Sequence, residues 1–332
     1  MKLVLPASYT LIAKKPIFTP MKRTLLLFLK GAAMGVAEVI PGVSGGTLAF
    51  ITGIYEELLE TIKNILGPAV FRAFREGGIK AAWAKANGPF LAFLLSGMAF
   101  GLIGGVFLIT RLLETYPQLL WAFFFGLILA SVWYIGKRVG QWGVSEVAGL
   151  IIAGVLAFYI TVAAPAQGIE AYWFIFICGM IAISALILPG ISGSFLLLLM
   201  GMYTVIIPSV KSALTTFDSR SLTILAVFSV GALIGLASFS RVLSWAFKHY
   251  RSLTMAILTG FMFGSLNRIW PWRNVLLYRT NSEGEEVPFL EKSVMPSEYD
   301  GDPMVMGVII LVIIGFSVVF LLDKMGEESP AE

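Results

Sequence analysis

The chain has 332 residues, of which 58% are hydrophobic and 13% charged, with a mean hydropathy of +0.86. A soluble domain carries roughly a quarter charged residues, so the composition excludes an ordinary water-soluble globule and fits a polytopic helical membrane protein. The net charge of +4 is small, and the basic residues flank apolar runs without interleaved aromatics, which excludes a nucleic-acid-binding surface.

Residues 1–20, apolar but broken by Pro6, are expected to be a mobile extension ahead of Met21-Lys22-Arg23. Against the ~20 helical residues that a bilayer requires, the rest divides into ten elements. Thr24–Ile40 ends at Pro41-Gly42, and Thr47–Ile62 follows, with Glu56, Glu57 and Glu60 in its last turns. At about 16 residues each, both are short for a full span. Full spans are predicted at Pro89–Thr110, Pro117–Ile135 and Val144–Ala164. A second short pair, Tyr172–Leu188 and Phe195–Ser209, is separated by Pro189-Gly190. Ser221–Ser240, Leu253–Trp270 and Pro303–Leu322 complete the set. Trp121, Tyr134, Trp142, Tyr172, Trp173, Trp270 and Trp272 fall near predicted span ends, as an interfacial aromatic belt would.

The placement of Lys and Arg orients these elements. Lys14, Lys15, Lys22, Arg23 and Lys30 precede the first break, and Arg72, Arg75, Lys80 and Lys85 follow its partner, so both flanks are expected to be cytoplasmic. Lys137 and Arg138 then fall inside, and the segment 165–173, without Lys or Arg, falls outside. The second short pair therefore enters from the far side. Arg241, Lys248 and Arg251 return to the cytoplasm, loop 271–302 is external, and the tail with Lys324 is internal. The predicted fold is all-α with an inverted-topology repeat: each half is a re-entrant broken hairpin plus three transmembrane helices. The halves span 21–164 and 165–323, and 324–332 forms a cytoplasmic tail. Both termini are expected to be cytoplasmic.

The breaks carry one motif twice, Pro41-Gly42-Val43-Ser44-Gly45 and Pro189-Gly190-Ile191-Ser192-Gly193, 148 residues apart (189 − 41). At the same offset Gly31 meets Gly179, Ala37 meets Ala185, Leu48 meets Leu196, Gly53 meets Gly201, Tyr55 meets Tyr203 and Lys63 meets Lys211. A break at membrane depth frees backbone groups that lipid cannot satisfy, and paired broken helices mark transport sites. Pro41 cannot continue a helical ladder, while Gly42, Gly45 and Gly46 allow close approach. Ser44 and Thr47 are good N-cap residues for the helix that follows, and its first-turn amides form a ready anion site. Ser192, Gly193 and Ser194 offer the same parts in the second copy. The two tips are expected to converge near mid-membrane and hold one anion.

Glu38 is the one acid deep in the first broken element, where an ionisable group is costly and by default functional. It suits a proton carrier, an ion-pair partner or a hydrogen-bond acceptor for the loop; Leu186 stands at the matching place. Lys30, Arg111, Arg241 and Arg268 are cations near span ends, and Arg111 and Arg268 are the ones proposed to catch a phosphate. Cys178 and His249 are the single cysteine and histidine, too few for a disulfide or a metal site; His249 reads as a solvated loop residue. The spans contain no histidine to act as general acid or base, so an enzyme, such as a lipid pyrophosphatase, is not expected.

The run from Gly31 to Glu56, with Glu38-Val39-Ile40-Pro41-Gly42-Val43-Ser44-Gly45-Gly46-Thr47 at its centre, closely resembles the signature of the bacterial domain-of-unknown-function family 368. Leu188-Pro189-Gly190-Ile191-Ser192-Gly193-Ser194 matches that family's second motif. The resemblance covers about Thr24 to Trp270. It implies a polyprenyl-phosphate transporter that returns undecaprenyl phosphate from the outer to the inner leaflet. It also implies that Glu38, Pro41, Gly42, Ser44, Gly45, Gly46 and Thr47, with Pro189, Gly190, Ser192, Gly193 and Ser194, shape the substrate path. The residues alone leave open an ion-coupled transporter of a small water-soluble anion. No cofactor is expected; coupling to H⁺ or Na⁺ and a homo-oligomer both stay open.

Overall fold

The computed structural model describes residues 20–40, 43–163, 166, 168–280 and 286–327. Pro41 and Gly42 lie outside the described residues, as do 1–19 of the expected extension and 328–332 of the expected tail.

The chain forms a polytopic helical membrane protein. Helix α1 (Pro20–Glu38) leads to the first break, and a seven-residue α2 (Gly45–Ile51) and α3 (Tyr55–Ile65) follow it. Then come α4 (Pro68–Lys85), α5 (Gly88–Thr115), α6 (Pro117–Lys137) and α7 (Val144–Val162). The second set is α8 (Tyr172–Ile187), a seven-residue α9 (Gly193–Leu199), α10 (Tyr203–Thr215), α11 (Ser219–His249), α12 (Arg251–Ser265) and α13 (Val305–Glu327). Among the described residues α5, α6, α7 and α11 are each long and apolar enough to cross a membrane. Helices α9 and α10 form one further apolar run, bent by 114°. Helix α12 is short at 15 residues and is prolonged by a 3₁₀ turn, Leu266–Ile269.

All ten predicted elements have counterparts, with three differences. First, each return arm is two helices, not one. Helix α2 ends in a Schellman motif: Ile54 N–H reaches Ala49 O at 3.0 Å, Gly53 N–H reaches Phe50 O at 3.2 Å, and Gly53 sits at φ +74°. Helix α9 ends the same way, through Met202 to Leu197, Gly201 to Leu198, and Gly201 at φ +69°. Glycine alone adopts that left-handed cap without a Cβ penalty, which explains why Gly53 and Gly201 share the 148-residue offset.

Second, the basic stretch after α3 is helical, kinked at Gly78 (φ +67°). Helix α4 buries none of its residues and exposes Phe71, Phe74, Ile79 and Trp83. Third, the segment 271–302 holds an antiparallel two-stranded ribbon, β1 (Arg273–Thr280) with β2 (Glu286–Ser293), so the fold is helical with one β-ribbon.

Four helix pairs pack through glycines, which let the backbones approach closely. Gly97, Gly101 and Gly105 of α5 face Phe28, Ala32 and Val36 of α1. The numbers rise together, so α1 and α5 run parallel. Gly231 and Gly235 of α11 face Phe176 and Met180 of α8, again in parallel. Gly149 and Gly154 of α7 pair with Leu253 and Gly260 of α12, and Gly307 and Gly315 of α13 with Leu119 and Phe123 of α6. For α5 to run parallel to α1, the chain between them must travel back, as α2 does beside α1.

Candidate functional site

The two breaks touch. Ser44 Oγ donates to Leu186 O at 3.0 Å, Tyr55 OH donates to Ile187 O at 3.0 Å, and Gly190 N–H donates to Thr47 Oγ1 at 2.9 Å. Leu186 and Ile187 close α8, where carbonyls lack intrahelical partners; side chains from the first break supply them. Ser44 and Thr47 are almost wholly buried, so water does not compete. A Cβ on Gly46 would stand 2.6 Å from Ile187 O and 2.8 Å from Leu186 O, so the backbones are in van der Waals contact there. Gly190, at φ +88°, lies against Phe261 and Met262 of α12.

Both breaks are built from the same residue types, yet they differ in what holds the helix start. At the first, Gly45 N–H donates to Glu38 Oε1 at 2.7 Å, Gly46 N–H to Ser44 Oγ at 3.1 Å, and Thr47 N–H to Ser44 O at 2.9 Å. The first turn of α2 is therefore already satisfied, with the Glu38 carboxyl group as one of its acceptors. At the second, Ser192 bonds to Ser194 through their hydroxyls at 2.9 Å and caps nothing. The amides of Gly193, Ser194 and Phe195 have no partner among the described residues. Leu186, at the place matching Glu38, supplies no side-chain acceptor.

The candidate cations separate. Lys30 Nζ caps the end of α2 at Thr52 O, 2.7 Å, and Arg241 binds Leu66 O and Ala237 O, both at 2.6 Å. A cation at a helix C-terminus answers the unpaired carbonyls and the dipole, so both have structural work. Arg111 stands on the exposed face of α5 beside Val106, Phe107, Thr110 and Glu114; among the described residues, no hydrogen bond or ion pair joins it to either break. Arg268 lies over the Phe195 ring, 4.4 Å from its centroid, at the first turn of α9. It pairs with Glu291 of β2 at 3.3 Å, and Arg273 of β1 pairs with the same carboxylate at 2.7 Å. Burial pulls the Arg273 guanidinium down to about 10; Arg268 pushes the same way and Glu291 opposes.

Sequence reasoning missed Tyr55, Arg273 and Glu291. Tyr55 had a signal, its match with Tyr203. Arg273 and Glu291 had none, because their role depends on the ribbon folding back. Cys178 is buried in α8, and His249 closes α11 with its Nδ1 2.9 Å from Trp245 O.

Two interrupted helices joined at their breaks, inside a bundle of apolar helices with ionisable groups at the junction, define a polytopic membrane protein with a broken-helix core. The chain belongs to the VCA0040-like, undecaprenyl phosphate translocase-like family, whose profile matches residues 34–287. It is 46% identical over 276 residues to the polyprenyl-phosphate transporter of Vibrio cholerae serotype O1 (strain ATCC 39315 / El Tor Inaba N16961). That alignment covers 83% of this chain and 87% of the relative. It is 30% identical over 261 residues to the polyprenyl-phosphate transporter of Staphylococcus aureus (strain NCTC 8325 / PS 47), covering 73% of this chain and 85% of that protein. No solved structure matches the chain.

Proposed function

We propose that this protein is a polyprenyl-phosphate translocase of the bacterial cytoplasmic membrane. It returns undecaprenyl phosphate from the outer to the inner leaflet, with the phosphate held where the two breaks meet. The names of both relatives support the substrate class. The observation that carries the reading is the direct contact of the breaks beside unpaired α9 amides and Arg268. Helix-start amides and an arginine suit a phosphate oxyanion, and the isoprenoid chain can remain in lipid.

The packing supports an inverted repeat with re-entrant hairpins. An inverted repeat requires α1∥α5 in one half to recur as α8∥α11 in the other. It also requires α6∥α13 to recur as α12∥α7, and all four pairs have these partners and parallel directions. With the positive-inside assignment, the termini are cytoplasmic and the ribbon is external. In this reading Glu38 is the first break's own anion. Protonation would remove the Glu38 charge while leaving an acceptor oxygen for Gly45 N–H, and withdrawal of the side chain would free the α2 start, which makes H⁺ the leading coupling ion and Na⁺ the alternative. The protein has no catalytic role.

The test is purified protein in liposomes loaded with undecaprenyl phosphate in one leaflet. Movement of the lipid to the other leaflet is expected, with no release of phosphate from undecaprenyl pyrophosphate. Lipid that stays in place while a water-soluble anion is taken up would reject this reading in favour of a small-anion transporter.

A further inference from the structure

The β-ribbon brings an unequal set of charges onto the second break. Arg268 lies on the 3₁₀ turn after α12, Arg273 opens β1, and Glu291 lies on β2. Both guanidinium groups converge on one oxygen, Glu291 Oε2, from 3.3 Å for Arg268 Nη1 and 2.7 Å for Arg273 Nη2. The three side chains are 15%, 5% and 20% exposed for Arg268, Arg273 and Glu291. Two cations against one anion leave a unit of positive charge largely removed from water, which is unfavourable without a further partner. Arg268 Nε is also buried without a hydrogen-bond partner among the described residues, and an unanswered donor carries its full desolvation penalty.

The three groups are not held equally. Arg273 is fixed by a second bond, Nη1 to Arg268 O at 2.8 Å, and stands 5.9 Å from the Trp121 ring centroid. Arg268 rests on the ring of Phe195, a residue of the first turn of α9. Among the described residues, the Glu291 carboxylate bonds only to these two arginines, and it is carried on a two-stranded ribbon outside the helix bundle.

We infer that Arg268 and Arg273 form a receptor for a phosphate monoester headgroup, and that Glu291 is a tethered anion that occupies the receptor until a headgroup replaces it. The inference rests on the translocase reading for the ribbon's being external and the headgroup's being that of a lipid. Its chemistry is a matter of charge. A phosphate monoester carries roughly −1.5 to −2 charges at neutral pH, enough to answer both arginines, and guanidinium forks bind such oxygens bidentately. A phosphodiester, the headgroup linkage of bulk phospholipids, brings one charge, which Glu291 already supplies. The receptor therefore selects monoester lipids from a membrane full of diesters.

The experiment is binding to full-length protein in nanodiscs of zwitterionic lipid, read by fluorescence of the nearby Trp270 and Trp272. The probes are farnesyl phosphate, its methyl diester and inorganic phosphate. Wild type is expected to prefer the monoester to the diester by about ten-fold or more, the equivalent of one charge-assisted bond. Glu291→Gln is expected to tighten binding of both and to narrow that preference. Arg268→Gln is expected to weaken the monoester about ten-fold or more, with thermal melting as the check on folding. If Arg268→Gln does not fold, Glu291→Gln decides: no gain in affinity overturns the inference. Equal affinity of wild type for monoester and diester also overturns it, as does binding of inorganic phosphate without farnesyl phosphate. The two readings fail separately. Receptor variants that behave as expected beside a wild type that moves no undecaprenyl phosphate sink the translocase alone. Unchanged farnesyl phosphate binding in folded Arg268→Gln, beside robust lipid movement by wild type, sinks the receptor alone.

Discussion

Thr47→Val isolates the contact between the breaks. The Thr47 side chain is fully buried, and its Oγ1 is the acceptor for Gly190 N–H at 2.9 Å. Valine replaces the hydroxyl with a methyl of nearly equal volume, so no cavity opens and the main change is the lost acceptor. Gly190 N–H is then left buried without a partner, at a cost of about 1–3 kcal/mol. Lipid has no water with which to repair it, so we expect a loss near ~2 kcal/mol, roughly a thirty-fold fall in the folded-to-unfolded ratio. Unfolding in mixed detergent micelles measures the global loss. Hydrogen exchange supplies the local readout: peptides containing Gly190 should exchange faster in Thr47→Val than in wild type. Thr47→Ser keeps the acceptor and should keep Gly190 protected, at the cost of about one buried methyl, ~0.8 kcal/mol. If Thr47→Val unfolds like wild type and Gly190 exchange is unchanged, this hydrogen bond does not join the two breaks.

Glu38→Gln retains an oxygen for Gly45 N–H but loses its charge, so we expect a folded protein whose lipid movement has a flattened pH profile. An unchanged rate and an unchanged profile in liposomes would remove Glu38 from the mechanism. Glu38→Leu removes the acceptor as well and should cost about 1–3 kcal/mol more than Glu38→Gln in an unfolding titration. Gly101→Ala drives a Cβ into the Ala32 carbonyl and should separate α1 from α5, whereas Gly104→Ala meets nothing within 4 Å. Gly104→Ala should gain up to about 1 kcal/mol from helix propensity; equal melting of the two variants would refute the close-packed seam. Arg111→Gln is expected to move lipid at the wild-type rate, and a loss as large as that from Arg268→Gln would place Arg111 on the substrate path.

The helical architecture was legible because a bilayer imposes a length on apolar runs and Pro-Gly interrupts them. The bend within each return arm was equally present in the text, as Gly53 and Gly201, but it reads as a stop only beside the seven-residue helix it ends. Apolar periodicity runs through the bend from Leu48 to Leu59 and hides it. Helix α4 was obscured for the opposite reason: its charges read as a loop, while its apolar residues serve an exposed face instead of a core.

The site was half legible. Duplication pointed to the two serine-bearing breaks, and Leu186 in the place of Glu38 marked them as chemically unequal without showing what the difference does. Glu38 lies seven residues before Gly45 and folds back to fill the α2 start. Leu186, seven residues before Gly193, offers the first break only its carbonyl, which Ser44 takes. The second helix start is left with unpaired amides; Arg268, which lies over its Phe195 ring, and Arg273 and Glu291, which bond to Arg268, come from far along the chain. Their convergence depends on a 3₁₀ turn and a ribbon register that pairs Arg273 with Ser293, two residues from Glu291. No local pattern encodes that register's consequence. A duplicated motif can therefore locate a junction, while the chemistry of each half depends on which side chain, or which absence of one, the rest of the fold supplies.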